Sequence, residues 1–100
     1  MTDIRQLYAF ISTSKIRKSI LEVLFKKDIR QIEIAELINE KQPNVSKALV
    51  DLEKNGLVIC LTPNKKAWKV YGITDLGKEV INTNLKITKS FLIGFFSFKY

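Results

Sequence analysis

The sequence predicts a single, mainly α-helical domain that carries one small β-hairpin. Apolar residues recur at spacings of three and four along most of the chain, which is the period of amphipathic helices. One segment is bounded by Pro43 and Gly56, residues that suit the first turn and the end of a helix. Residues 57–73 form two apolar runs around a turn, the pattern of a hairpin. A length of 100 residues with 46% hydrophobic side chains predicts that residues 1–100 form one domain around one hydrophobic core.

Two amphipathic helices are predicted in the first 27 residues. The first lies within residues 1–12 after Asp3 as its candidate cap, and the second spans roughly Lys15–Lys27 with Ile16, Ile20 and Leu24 in its core stripe. The Ser12-Thr13-Ser14 cluster separates them and offers hydroxyl caps for the second. The apolar stripe of the first helix consists of Ile4, Leu7, Tyr8 and Ile11.

Two further helices are predicted between Asp28 and Gly56. The first is short and places Ile34, Leu37 and Ile38 on one face. Its other face carries Glu33, Glu36 and Glu40, which we interpret as a solvated row rather than a pair for acid–base chemistry. The second begins with Gln42 as cap and Pro43 at its first position, and it ends at Asn55-Gly56. Its inner face is formed by Val45, Ala48, Leu49 and Leu52.

A hairpin and a last helix complete the predicted domain. The strands are Leu57–Thr62 and Trp68–Ile73, joined by the basic turn at residues 63–66. Trp68 and Tyr71 are assigned to packing, with Trp68 and Val70 on one strand face. Cys60 is interpreted as a small apolar residue of the first strand, with a redox or interchain-disulfide role as the alternative. Thr74 is the predicted cap of a helix that starts at Asp75.

Several classes of function are disfavoured by composition. The chain has no histidine and one cysteine, too few soft ligands for a zinc site and no partner for a Cys–His or Ser–His nucleophile pair. We therefore expect no enzyme activity, no metal and no cofactor. There is no signal-peptide pattern, and the longest charge-free apolar tract, Phe91–Phe98, is far shorter than the roughly 18 residues that span a bilayer. A cytoplasmic protein without membrane association is expected.

The charge of the chain is positive and unevenly distributed. The formal charge is +7. In residues 31–40 all charged side chains are acidic, whereas residues 41–69 carry six lysines and only two acidic residues. Such an excess favours a polyanionic partner, although a solvated lysine-rich surface is the alternative explanation.

Ala35, Asn39 and Val45 occur in the order that two closely crossing helices require. The helix contact needs a small residue, such as Ala35, and the turn needs a residue that tolerates positive φ, such as Asn39. The second helix needs an apolar residue, such as Val45, that packs it onto the first. The order α-α-α-β-β-α, with the segments Pro43–Leu49, Leu52–Val58 and Tyr71–Gly77, resembles the winged helix-turn-helix regulators of the MarR-like and ArsR-like kind. The resemblance covers roughly residues 14–82, without the Cys and His clusters of the ArsR-like metal sensors.

The resemblance implies binding of double-stranded DNA, with the helix after Pro43 in the major groove and the hairpin tip on the backbone or minor groove. The outward residues of that helix have the chemistry to contact base edges or phosphates. Predicted contacts on the helix are Gln42, Asn44, Ser46, Lys47 and Val50. Predicted contacts at the hairpin are Lys65 and Lys66, and predicted flanking phosphate contacts are Arg17, Arg30 and Lys41.

The C-terminal segment predicts self-association. Residues 83–100 hold four of the six phenylalanines, and a continued last helix aligns Ile87, Phe91, Phe95 and Phe98 in one seam. With the stripe of residues 1–12, this seam predicts a homodimer. The alternatives are packing of the tail within the chain and a membrane-surface anchor. For the whole protein, the competing hypothesis is a winged-helix protein-interaction module that uses this tail, and RNA binding is weaker because no exposed aromatic platform is predicted in the basic region.

Overall fold

The computed structural model describes residues 3–66 and 68–82. This part of the chain forms five helices and three short strands. They are α1 (Ile4–Ser12), α2 (Lys15–Lys26), β1 (Ile29–Arg30), α3 (Gln31–Leu37), α4 (Gln42–Lys54), β2 (Val58–Cys60), β3 (Val70–Ile73) and α5, in which residues 75–82 are helical. The predicted mainly helical fold with a hairpin is confirmed.

The helix caps follow the sequence signals closely. The Asp3 side chain accepts a hydrogen bond from the Arg5 amide, and the Ser14 hydroxyl accepts one from the Arg17 amide. The prediction that Gln42 caps α4 is wrong by one residue. Lys41 holds the cap position in extended conformation, and its carbonyl accepts from the Val45 amide at 3.1 Å, so Gln42 is already helical. Pro43 still lies in the first turn, where its missing N–H costs no hydrogen bond.

The sheet has three strands rather than the predicted two. Its order is β1-β3-β2 with both pairs antiparallel, and β1 pairs Ile29 with Tyr71 and Arg30 with Val70. A two-residue strand is too short to show period-two alternation, so β1 was not predicted. The Gln31 amide extends the contact by donating to the Lys69 carbonyl at 3.0 Å. The third strand therefore joins the start of α3 to the hairpin.

Trp68 is exposed, so its assignment to packing is wrong, whereas that of Tyr71 is confirmed. β3 begins at Val70, and within it Tyr71, only 4% exposed, belongs to the core. Trp68 precedes the strand and lies beyond the Cys60–Tyr71 pair, where its side chain is 68% exposed. Cys60 is partly buried against the core, as expected for a small apolar residue.

One hydrophobic core joins all five helices and the sheet among the described residues. It includes Leu7 and Ile11 of α1, which pack with α2 and are almost fully buried. We therefore reassign Leu7 and Ile11 from the predicted dimer surface to the core of the chain. Ile4 and Tyr8 remain partly exposed. Ile87, Phe91, Phe95 and Phe98 lie outside the described residues, as does the predicted helix of residues 83–100.

The crossing of α3 and α4 has the predicted construction. Ala35 is 5% exposed, Val45 is fully buried, and Asn39 adopts φ of 55° in the turn between the helices. The Glu40 amide donates to the Ala35 carbonyl at 3.0 Å and closes this turn. A close helix-turn-helix results, and it fixes the direction in which α4 leaves the core.

Arg17 joins three helices instead of facing outward. Its guanidinium lies 3.9 Å from the centre of the Phe10 ring, and Nη1 donates to the Phe10 carbonyl at 3.1 Å. Nη2 lies 3.6 Å from Oδ2 of Asp51 on α4. Arg17 thus connects α1 and α4 through α2.

Replacing Arg17 with alanine is expected to lower the free energy of unfolding by about 2 kcal/mol, because a cation–π contact and a charge-assisted hydrogen bond are lost together. Asp51→Asn removes only a partly exposed ion pair and is expected to cost less than about 1 kcal/mol. Urea unfolding of both variants measures the difference. Equal losses would show that the ion pair alone accounts for the effect.

Candidate nucleic-acid interface

The outer face of α4 carries the polar residues predicted for it. Val45, Ala48, Leu49 and Leu52 point into the core, so the first half of the helix leaves its other side to solvent. Gln42, Asn44, Lys47 and Val50 are exposed and Ser46 is half-buried. The Asn44 side-chain amide donates to Oε1 of Glu40 at 3.2 Å, which orients this residue at the start of the helix.

The hairpin loop is closed at its base by one threonine. The Thr62 hydroxyl donates to the Trp68 carbonyl at 2.9 Å and accepts from the Val70 amide at 3.0 Å. The Lys65 amide donates to the Thr62 carbonyl and forms the turn, which leaves the side chains of Lys65 and Lys66 exposed. The two lysines therefore project from a loop whose base is closed by the hydrogen bonds of Thr62.

A groove of about 380 Å³ separates the start of α4 from the hairpin. Its lining includes Arg30, Gln31 and Ile32, where β1 passes into α3, together with Gln42 of α4. It also includes Lys66, Trp68 and Lys69 of the hairpin. The fold thus brings Arg30, Gln42 and Lys66 of the predicted set around one cationic surface.

Arg30 enters this surface already paired with an acid. Its Nε donates to Oε1 of Glu33 one turn along α3 at 2.8 Å. The hydrogen bond from Arg30 lowers the pKa of the Glu33 carboxyl from its usual value. Glu33 therefore compensates part of the positive charge that Arg30 brings to the groove.

The architecture matches structures of known regulators, although no protein-family model and no curated protein matches the chain. A mutant of S. aureus MepR superposes with a TM-score of 0.78 at 20% identity over 94% of this chain and 72% of that one. A mutant of Lactococcus lactis ZitR gives 0.72 at 19% identity over 85% of this chain, which spans 59% of the length of ZitR. TubR from Bacillus thuringiensis serovar israelensis, bound to 24 bp of tubC, gives 0.75 at 16% identity over 86% of this chain and 96% of that one.

The chain has the winged helix-turn-helix fold. In this fold, α3 and α4 form the helix-turn-helix, and β2 and β3 with their loop form the wing. α4 occupies the position for which this fold uses the name recognition helix. Among the described residues, α1 (Ile4–Ser12) lies before residues 14–82, over which the sequence resemblance extends.

The winged helix does not bring Arg17 to the groove. Its contacts with Phe10 and Asp51 hold it between α1, α2 and α4, and its side chain is only 25% exposed. We therefore withdraw Arg17 as a phosphate contact and assign it to stability. Lys41, by contrast, is exposed at the cap of the recognition helix, as a phosphate contact requires.

Four groove residues, Gln31, Ile32, Trp68 and Lys69, are absent from the predicted set. Gln31 is brought there by β1, which shows no periodicity in the sequence. Lys69 belongs to the charge excess of residues 41–69 and was not assigned individually. The available signal for Trp68 is its position in Lys65-Lys66-Ala67-Trp68-Lys69, where an aromatic residue is surrounded by cations.

The described residues, 3–66 and 68–82, present neither a cluster of metal ligands nor a membrane-spanning helix. Within these ranges no group of three or more Cys, Asp or Glu side chains is arranged to hold a metal ion. No helix in the same ranges is long and apolar enough to cross a membrane.

Proposed function

We propose that the protein is a sequence-specific double-stranded DNA-binding transcriptional regulator that acts as a homodimer. The observation that carries the proposal is the shared groove between the exposed polar face of the recognition helix and the cationic side of the wing. A duplex presents bases in its major groove between two rows of phosphates, which matches a polar helix flanked by cations. TubR, a structure of the same fold, is bound to 24 bp of tubC. We assign the protein no catalytic step.

The recognition helix supplies the base contacts in this proposal. Asn44 has the amide that pairs with adenine, Lys47 suits guanine or a phosphate, and Val50 suits the methyl group of thymine. Gln42 and Ser46 add hydrogen-bonding groups at the start of the same face. Lys41 lies at the helix N-terminus, where the backbone dipole also favours a phosphate.

The wing supplies contacts that do not depend on sequence. Lys65 and Lys66 project from its tip, and Lys69 lies beside them in the groove. Lysine ammonium groups neutralise phosphates and release condensed counterions, which stabilises the complex on any duplex. Arg30, just before α3, lines the same groove and adds a further cation for the phosphates of the DNA.

The dimer aligns two recognition helices with two half-sites about one helical turn apart, roughly 34 Å. Its contacts come from the partly exposed Ile4 and Tyr8 and from the C-terminal residues Ile87, Phe91, Phe95 and Phe98. The high apolar and aromatic content of residues 83–100 supports this assignment.

Selection of bound sequences from a random duplex pool tests the proposal. Enrichment of a two-fold symmetric sequence is expected, followed by a retarded complex of two chains on that duplex in a gel. Absence of retardation at low salt would overturn DNA binding. An enriched sequence without symmetry, bound by one chain, would overturn the homodimer but keep the DNA partner.

Asn44→Ala is expected to relax the choice of sequence by removing a base contact. The ratio of affinities for the selected duplex and for a duplex with one changed base pair at the position that Asn44 contacts is expected to fall. The fall corresponds to a loss of about 1–3 kcal/mol in discrimination free energy. Ser46→Ala is expected to have a smaller effect in the same direction. Asn82→Ala, at an exposed position of α5, is the matched control and is expected to leave the ratio unchanged. Equal ratios in the Asn44 and Asn82 variants would contradict the assignment.

A further inference from the structure

Trp68 exposes a large indole in the groove that Arg30, Lys66 and Lys69 also line. It is the sole tryptophan of the chain, and 68% of its surface is accessible. Tryptophan usually buries most of its ring and pairs its N–H with an acceptor. Its exposure next to Lys66 and Lys69 therefore points to a partner that covers it.

Two backbone carbonyls, that of Trp68 and that of the following residue, accept hydrogen bonds. The Trp68 carbonyl accepts from the Thr62 hydroxyl at 2.9 Å, and the Lys69 carbonyl accepts from the Gln31 amide at 3.0 Å. The wing and the start of α3 thus hold the backbone at Trp68 and Lys69 before any partner binds. A side chain presented on a fixed backbone loses little conformational entropy on binding.

The surroundings of the indole identify the chemistry of the partner. Arg30, Lys66 and Lys69 line the same groove, and Gln42 of α4 lines it as well. An apolar protein surface would have to desolvate these cations without compensation. A strand of DNA compensates them, because its phosphates pair with the cations while the C–H face of a deoxyribose offers an apolar surface to the ring.

We propose that Trp68 is a DNA contact, in which the indole packs on a deoxyribose of the strand between wing and recognition helix and Nε1–H donates to a phosphate. The inference rests on the proposed function and adds an apolar anchor to its electrostatic contacts. It also corrects the expectation that the basic region has no exposed aromatic residue.

The fluorescence of the sole tryptophan tests the contact directly. Titration of the full chain with the selected duplex is expected to quench Trp68 emission and shift it to the blue, with the same midpoint as the anisotropy of labelled DNA. A duplex that binds by anisotropy without changing the emission would overturn the inference and leave the proposed function standing. A chain that binds no DNA in either assay would overturn both.

Two substitutions separate this contact from a charge effect. Trp68→Ala is expected to weaken DNA binding about tenfold, as the loss of a buried aromatic anchor does, and Trp68→Phe to weaken it less because an apolar ring remains. The dependence of log K on log salt is expected to keep its slope, whereas each lysine removed from a phosphate lowers the slope by about 0.9.

Leu37→Ala is the matched control, since Leu37 is 62% exposed and lies outside the groove. It is expected to leave the affinity within about twofold, in the range of surface substitutions away from a binding site. Thermal unfolding by circular dichroism is expected to give unchanged midpoints for all three variants. Wild-type affinity in folded Trp68→Ala, or a changed salt slope, would overturn the contact.

Discussion

Gly77→Ala is expected to destabilise the protein by at least about 3 kcal/mol, although the residue lies in a helix, where alanine is ordinarily favoured over glycine by about 1 kcal/mol. A Cβ atom at Gly77 would lie 2.2 Å from the Leu57 carbonyl oxygen and 2.7 Å from Cγ1 of Ile73. The Leu57 carbonyl is held by the Thr74 amide at 3.1 Å, so it has little freedom to move. α5 would have to shift away from the wing.

Gly56→Ala is the matched control for this prediction. Gly56 adopts φ of 74°, but a Cβ there meets only Cδ2 of Leu76 at 3.9 Å. Its cost is limited to the left-handed conformation, about 1–2 kcal/mol. Chemical unfolding of both variants compares a steric clash with a backbone preference. A Gly77 variant as stable as the wild type would show that α5 is not packed against Leu57 as described.

Lys65→Ala combined with Lys66→Ala is expected to weaken binding to all duplexes. If each chain of the dimer neutralises about four phosphates, log K falls against log salt with a slope of about −7, and loss of two contacts per chain halves that slope. At about 0.15 M salt the affinity is then expected to fall roughly 10²- to 10³-fold. Fluorescence anisotropy over a salt series measures both quantities, and the preferred sequence is expected to stay the same.

Lys26→Ala combined with Lys78→Ala removes the same charge from exposed positions outside the groove. This control is expected to change the slope little, because long-range attraction between exposed charges is screened over about 8 Å at such salt. If both double variants weaken binding equally, the net charge of the chain rather than the wing is responsible. The wing would then lose its assigned role.

The helix-turn-helix and its orientation could be predicted because their signals are local. Pro43 and Asn55-Gly56 mark the ends of α4 within one residue, and the spacing of Val45, Ala48, Leu49 and Leu52 determines which side faces the core. Asn39 has the positive φ that its place in the turn requires. The exposed polar face of α4 follows from the same helical period.

Contacts between distant segments could not be predicted in this way. β1 exists because Ile29 and Arg30 meet Tyr71 and Val70 some 40 residues later, and two residues carry no periodic signal. Arg17 has the positive charge that a phosphate contact needs, but its guanidinium contacts Phe10 and Asp51 within the chain. Leu7 and Ile11 belong to an apolar stripe that could face either a dimer partner or the core of the same chain. Their packing against α2 in the structure places them in the core.

By itself, the sequence determined the order of the helices, the ends of the recognition helix and the positive charge of residues 41–69, since each depends on neighbours within a few positions. Only the tertiary structure decided which charges share a surface. β1 brings Arg30 and Gln31 beside Lys69. Trp68 precedes β3 and is not part of the core, so its side chain lies in solvent among these cations. Composition specifies how much charge and apolar surface a chain has, whereas the packing of distant segments determines where they meet.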